Sequence, residues 1–313
     1  MIRRTQPSTR PLRLGWWALA ALLLALAGCA GDVPSAGEVQ PEKAGEPEAT
    51  APPAEPVRAG TFEALTYNVA GLPQGISRST PRRCMPLIGP LLNAYDLVLV
   101  QEDFVYHDLL AAEVRHPYRS EPKSIGRRLM HDGLNRFSRF PFGELTRQRW
   151  VRCHGGLRDG RSDCLAEKGF SVARTELAPG AILDVYNVHG EAGDGPGDVE
   201  ARAAGYLQLA EFMREHSAGH AVLLGGDTNL NRRRLHDEIV LGEFLSSTGL
   251  QDACEFLACG DDRIDRFLFR SGPELELVPL LWALAEEFVD PGGHRLSDHP
   301  AVRMTFAWSL RAR

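Results

Sequence analysis

Ala221-Val-Leu-Leu-Gly-Gly-Asp-Thr-Asn229 is the stretch from which the rest of the chain is read. Four apolar residues at strand length fit a strand covered on both faces. Two glycines end it, letting the backbone turn or be approached closely. Asp227 and Asn229 then ride on a loop at the strand end. A carboxylate and a carboxamide two positions apart suit a metal ion or a phosphoryl oxygen, although Gly-Gly-Asp is equally an ordinary turn. Asp96-Leu-Val-Leu-Val-Gln-Glu102 repeats the arrangement, an apolar strand tipped by a carboxylate.

Outward from these two strands, the pattern places further elements. Thr61–Asn68 alternates as a strand, and Met85–Tyr95 and Asp108–Val114 read as short helices. Leu134–Phe140, Gly143–Val151, Gly169–Leu177 and Ala181–Val188 form a strand-rich central block. Val199–Glu215 carries the longest apolar helical face, and Leu235–Ser247 a second. Arg263–Phe269, Glu276–Leu280 and Ala301–Trp308 return to strands. Helices lying between groups of strands predict a layered α+β or α/β domain, with sheet packed on sheet and helices outside.

Polar residues recur at the ends of the apolar strands: Asn68, Glu102, His189, Asp227 with Asn229, Asp265, and the pair Asp298-His299. Singly, each has a bland reading as a turn former, a satisfied histidine or a surface ion-pair member. Together they offer oxygen ligands for a hard cation beside a phosphate, with imidazoles for proton transfer. Tyr67-Asn68, Gln101-Glu102, Asn187-Val-His189, Gly226-Asp-Thr-Asn229, Ile264-Asp265 and Ser297-Asp-His299 resemble, in order, the signatures of the endonuclease/exonuclease/phosphatase superfamily. That superfamily includes deoxyribonucleases, apurinic endonucleases, inositol-polyphosphate 5-phosphatases and bacterial sphingomyelinases. Ser138-Arg-Phe-Pro141 is a weaker match; Lys168-Gly169, Arg202 and Gln208 are reminiscent of the sphingomyelinase branch. Thr228, where the family favours an aromatic, and Gly190, where it often has Leu, depart from the pattern at the rim.

The resemblance implies a four-layer sandwich in which two mixed, mainly antiparallel sheets pack face to face with helices outside. It also implies metal-assisted water attack on a phosphodiester. Glu102, with Asn68 and Asp298, would hold Mg²⁺ (or Mn²⁺ or Ca²⁺). Asp265 would orient His299 as the general base, Asp227 would hold the water or share a metal, Asn229 and Lys168 would bind the phosphoryl group, and His189 would act on the opposite side.

The N-terminus is read as a targeting segment. Arg3, Arg4, Arg10 and Arg13 precede an apolar run from Trp16 to Ala27, ending in Leu26-Ala27-Gly28-Cys29. A basic head, a short apolar middle and small residues at the end form a secretory signal. Cys29 resembles a bacterial lipobox cysteine, so residues 1–29 are expected to be a lipoprotein signal peptide. With Ala30 next, the expected address is the outer membrane or cell surface. Residues 30–59, rich in Pro, Glu, Ala and Gly, are expected to be a tether, since such a composition buries too little apolar surface to order itself. The catalytic domain then spans 60–313.

Residues 1–31 carry four arginines and no acid, and residues 32–58 six acids against Lys43 and Arg58, which leaves −6 of the total −6 to residues 59–313. That balance is a poor match for non-specific nucleic-acid binding. Arg127, Arg128, Arg136, Arg139, Arg147, Arg149, Arg152, Arg158 and Arg161 form one local exception. It reads as a solvated basic face or as an anion-binding flank. Cys153 with Cys164, and Cys254 with Cys259, are spaced for local disulfides in an exported protein. His154 raises a zinc alternative that lacks a fourth ligand, and Cys84 is left as a buried thiol. A sphingomyelinase-like phospholipid headgroup phosphodiesterase, monomeric and lipid-tethered, is the leading expectation. A surface nuclease, an inositol-phosphate phosphatase and a catalytically silent binding module follow.

Overall fold

The structure, a computed structural model, describes residues 57–312 except 76–78, 125, 127–129 and 156–162. The signal segment with Cys29, the tether up to residue 56, and Arg127, Arg128, Arg158 and Arg161 lie outside the described residues. In chain order the elements are β1 (Ala59–Asn68), α1 (Pro81–Leu92), β2 (Leu97–Gln101), α2 (His107–Ala111), β3 (Tyr118–Arg119), β4 (Asn135–Ser138), β5 (Thr146–Arg149), β6 (Gly169–Ala178), β7 (Ala181–His189), α3 (Pro196–His216), β8 (Ala221–Asp227), α4 (Leu235–Thr248), β9 (Gln251–Asp252), α5 (Ala253–Phe256), β10 (Asp265–Arg270), β11 (Leu275–Leu284) and β12 (Val302–Leu310).

Two six-stranded sheets result, in the orders β11-β12-β1-β2-β4-β3 and β5-β6-β7-β8-β10-β9. Each contains one parallel pair, β1 with β2 and β7 with β8, among antiparallel neighbours. The alternation of side chains along a strand assigns the layers. Phe62 and Ala64 of β1, Leu183 and Val185 of β7, and Phe267 and Phe269 of β10 meet in a core between the sheets. The alternate residues Leu65 and Tyr67 pack with Met85 and Ile88 of α1, while Val222 and Leu224 pack with Tyr206 and Leu209 of α3. Three cores thus separate four layers, helix, sheet, sheet and helix, as the sequence pattern and the resemblance predict.

Polar groups pin the two sheets together near one end of the middle core. Gln101 donates to Asn187 Oδ1 at 2.7 Å, and Asn187 donates back to Val100 O at 2.9 Å and Asn135 O at 3.0 Å. Arg136, fully buried, reaches from β4 to Val185 O and Ser171. Each bond satisfies a group whose burial is otherwise costly.

Several sequence expectations change in detail. Gly225 and Gly226 do not end the strand but lie within it. A Cβ on Gly225 would meet Phe267 at 2.6 Å, and one on Gly226 would meet Val188 O at 2.1 Å, so close packing explains both. The first helix begins at Pro81, where proline suits the first turn. The β11 strand runs beyond Leu280 to Leu284, past an irregularity between Pro279 and Leu281. The arginine-rich segment is not one basic face among the described residues. Arg136 is buried, Arg147 pairs with buried Asp132 at 2.6 Å, and Arg139 pairs with Asp96 at 2.7 Å. Cys153–Cys164 and Cys254–Cys259 are disulfides and Cys84 is free and buried. The first bridge takes up the two sulfurs that zinc would need, and His154 instead meets Asp198 at 2.6 Å.

Candidate active site

Counting along each strand by twos from the middle core reaches the site. In β1 the inward residues Phe62, Ala64 and Thr66 lead to Asn68; in β7, Leu183, Val185 and Asn187 lead to His189; in β8, Ala221, Leu223 and Gly225 lead to Asp227. Asp265 opens β10 on the same face as Phe267, paired in register with Asp227. The site is therefore the polar rim of the apolar layer between the sheets, and both sheets contribute to it.

Asn68 lies at its centre. Its Nδ2 donates to Glu102 Oε1 and to Asp227 Oδ2, each at 3.1 Å, while its Oδ1 accepts from Ala70 N at 3.0 Å. Glu102 follows directly on β2 with φ of 56°, a left-handed conformation that costs a non-glycine residue roughly 1–3 kcal/mol. Its carbonyl accepts from Gly71 N at 2.9 Å and Phe104 N at 2.8 Å, which holds that conformation. A Cβ at Gly71 would lie 2.3 Å from the same oxygen, so only glycine fits there. Burial pushes the Glu102 carboxyl up, opposed by the charge of Lys168 and the Asn68 hydrogen bond. Burial also pushes Asp227 up, against the pull of His299.

His299 Nδ1 meets both oxygens of Asp265, at 3.0 and 2.9 Å, and its Nε2 lies 3.8 Å from Asp227 Oδ2. Burial works against its charge, but Asp227 and Asp265 outweigh it and raise the imidazole to about 10. His189 is the opposite case. Burial, then the charges of Lys168 and His299, hold it well below the usual range, so it is neutral. Its Nε2 faces Asp227 at 3.6 Å and Glu102 at 3.8 Å. Trp150 Nε1 donates to its carbonyl at 2.9 Å, fixing the β7 tip. Two histidines with pKa values pushed apart can divide the labour of proton transfer.

Asn229 also takes the left-handed region, with φ of 53°, which asparagine tolerates well. Its backbone N–H donates to Asp227 Oδ1 at 3.0 Å and its Nδ2 to Gly190 O at 3.1 Å. One amide hydrogen remains for a ligand. The two departures from the family pattern interlock: a Cβ on Gly190 would strike Thr228 O at 2.2 Å, and Thr228 Oγ1 donates to Ile264 O at 2.6 Å. Lys168 is buried before β6, and Asp163 holds its Nζ at 2.8 Å. Burial would lower its pKa, but the carboxylates Asp163, Glu102 and Asp227 raise it.

Of the residues expected from sequence, Asn68, Glu102, His189, Asp227, Asn229, Asp265, His299 and Lys168 come together. Asp298 is exposed and is linked to Asn68 through Ser297, whose Oγ donates to Asn68 O at 2.7 Å and lies 3.4 Å from Asp298 Oδ1. Asp227 joins Asn68 and Glu102, since Asn68 Nδ2 donates to both carboxylates. The donors suit a hard cation, since Asp227, Asp265 and His299 offer atoms within 4.8 Å of one another and Glu102 adds a further oxygen. Sequence reasoning did not assign Gln101, although it is on the inward register one step before Glu102. It also missed Asp163, and it named Arg202 without its buried partner Asp237, 2.6 Å away and far off in sequence. Arg202 also binds Glu191 O and Gly193 O, and Asp237 accepts from Asn231 N, so this pair braces rim loops on both sides of Asp227.

An Asp-oriented histidine thus faces clustered carboxylates between two sheets, and the chain belongs to the Endonuclease/Exonuclease/phosphatase family, whose model matches residues 65–299. Within it, the chain is 34% identical over 268 residues to the sphingomyelinase of Mycobacterium tuberculosis, a match covering 78% of this chain and 52% of that protein. The chain thus spans about half the length of the curated relatives it matches. Among solved structures, beta toxin from Staphylococcus aureus with bound magnesium ions aligns with a TM-score of 0.58 at 16% identity, covering 78% of this chain and 99% of that one. TDP2 from D. rerio, complexed with a single-strand DNA product, aligns at 0.59 with 18% identity, covering 79% and 98%. At these identities the two structures speak to the fold.

Proposed function

We propose that this chain is a divalent-cation-dependent phosphodiesterase that releases phospholipid headgroups in the manner of a sphingomyelinase. The observation that carries the reading is the single cluster of Asn68, Glu102, His189, Asp227, Asn229, Asp265 and His299 at the rim between the sheets. The identity to proteins named sphingomyelinase supports the lipid substrate. The nuclease reading, whose best support was the arginine-rich segment, loses ground because Arg136 and Arg147 are committed to buried partners.

Glu102, Asp227 and Asn68 would hold the cation, with Mg²⁺ favoured over Mn²⁺ or Ca²⁺ by the magnesium in the beta toxin structure. A bound cation supplies charge neutralisation for the phosphoryl oxygens. The residues of the chain do the rest. Asp265 fixes the proton on His299 Nδ1, so Nε2 is the atom aimed at the reacting water. Asp227 and Asp265 keep His299 protonated, and with the Asp227 charge offset Nε2 would be free to accept a proton. Asn229 Nδ2 and Lys168 Nζ donate to non-bridging oxygens. Neutral His189 donates its Nε2 proton toward the phosphoryl group from the other side. The reading extends to the residues outside the described structure: a lipid on Cys29 and an extended tether would hold a monomeric domain at the outer membrane or cell surface.

The test is a substrate panel on protein lacking residues 1–29, with added Mg²⁺, Mn²⁺ or Ca²⁺. It compares sphingomyelin vesicles, plasmid DNA, inositol phosphates and a nitrophenyl phosphodiester. Chelator-sensitive headgroup release without DNA nicking is expected. DNA nicking alone would favour the nuclease, and no turnover anywhere would overturn the enzyme reading.

A further inference from the structure

The Cys153–Cys164 bridge has His154 and Asp163 just inside its two ends. Both grip the loop that follows His189. His154 N donates to Glu191 Oε1 at 2.5 Å, and Asp163 Oδ2 accepts from Ala192 N at 2.6 Å. Asp198 of α3 closes the same corner, accepting from Gly195 N at 2.9 Å and meeting His154 Nδ1 at 2.6 Å. Glu191 is 1% exposed, and its backbone carbonyl accepts from Arg202 at 2.9 Å. The second oxygen of its carboxyl group, Oε2, is buried with no hydrogen-bond partner among the described residues.

An ionised carboxylate with one oxygen buried and unpaired is costly, and a proton on that oxygen removes the charge. The neighbours act in the same direction. Asp163 from the bridged loop and Asp198 from α3 face Glu191 with like charge. The positive groups around it are Lys168 before β6, Arg202 of α3 at its carbonyl, and His154 when protonated. Burial first, then Asp163, push the Glu191 carboxyl up to about 7, against the His154 N–H and Lys168. Lys168 is the link to the reaction centre. Its Nζ is held by Asp163 at 2.8 Å, and the Glu102 and Asp227 charges act on it from the other side.

We propose that Glu191 is a positioning residue for Lys168, and that its protonation sets how tightly the site holds a phosphodiester anion. With Glu191 neutral, Asp163 holds Lys168 and the ammonium keeps its attraction for phosphoryl oxygens. With Glu191 ionised, a further negative charge stands behind the ammonium. That charge draws Nζ back and makes the field at the phosphoryl position more negative, and in a buried site such a charge is weakly screened. Affinity for the anion therefore falls as pH rises through neutrality. The effect belongs to binding, since Glu191 touches neither His299 nor His189 through its carboxyl group. The proposal rests on the phosphodiesterase reading for the role of Lys168 and adds what regulates it.

The test is the pH dependence of KM for a nitrophenyl phosphodiester with Mg²⁺ present, followed from mildly acid to mildly alkaline pH. Such a diester keeps one negative charge throughout, so any step belongs to the protein. Wild-type KM should rise severalfold with a midpoint at about 7. In Glu191→Gln, whose Oε1 can still accept from His154 N, KM should stay low and flat while kcat follows the wild-type curve. Should that variant fail to fold, Glu191→Met, neutral and of similar length, takes its place. A flat wild-type KM, or the same step in the neutral variant, would overturn the proposal. Titration calorimetry with dimethyl phosphate over the same range separates binding from reaction. If no diester is hydrolysed, yet dimethyl phosphate binding weakens through neutral pH in the wild type alone, the phosphodiesterase reading falls and the role of Glu191 stands.

Discussion

At the scale of single residues, His299 and His189 show how neighbours set chemistry. The same side chain is held charged on one side by Asp265 and Asp227, and neutral on the other by burial beside Lys168. His299→Ala should cut phosphodiester hydrolysis about 10²–10⁴-fold, the usual worth of a positioned general base. Steady-state rates on a soluble diester check this, and retention of full activity would remove His299 from the mechanism. Asp265→Asn should release the imidazole, and NMR titration of the cation-free protein should then find it well below about 10. The sign for stability follows. The folded pKa lies above the ordinary 6.5, so the stabilisation is fully present below about pH 6.5 and is lost as pH rises through about 10. Urea midpoints of wild type and Asp265→Asn should therefore converge at high pH in chelator. These residues were legible in the sequence because each stands at the tip of an apolar run. Gln101 and Arg202 stood out only through the resemblance, without roles, and Asp163 not at all, because their roles come from partners on other elements.

At the scale of elements, the two glycines of β8 are informative because they were expected to end the strand and instead continue it. Gly226 keeps β8 pressed to β7, with no room for a Cβ beside Val188 O. Gly226→Ala should destabilise the fold by about 1–3 kcal/mol, as overpacking does. It should lower activity as well, because Asp227 follows directly and is registered to His189. Denaturant melts and rates together check this; a stable, fully active variant would show that the β7–β8 contact can give. Central strands and the long helices were readable from periodicity. Strands β3 and β9, two residues each, and the four-residue α5 carry too little pattern to be seen and exist only through pairing with neighbours.

At the scale of the whole molecule, the site exists only because two sheets face each other. Asn68 and Glu102 come from one sheet, His189, Asp227 and Asp265 from the other, and Gln101 with Asn187 ties them just beneath. Clustered carboxylates at the rim strain the cation-free state, so Mg²⁺ should raise the melting temperature with a concentration dependence and a chelator should reverse it. Differential scanning calorimetry checks this, and Asn68→Ala with Glu102→Gln should abolish the effect. Reducing the Cys153–Cys164 bridge should cost about 2–3 kcal/mol by loosening the unfolded-state constraint. It should also weaken the hold of Asp163 on Lys168, which a comparison of reduced and oxidised protein would read in both stability and KM.

The sequence by itself determined the central strands and the polar residues at their tips, because strand periodicity and residue type are local properties of the chain. Tertiary structure alone decided which tips meet. It put Asp227 against Asn68, which also holds Glu102, and turned Arg136 and Arg147 of the 127–161 segment toward buried partners. The physical reason is that distance in space, burial and the sign of neighbouring charge are set when two sheets close on one core, and no stretch of either sheet carries that information alone.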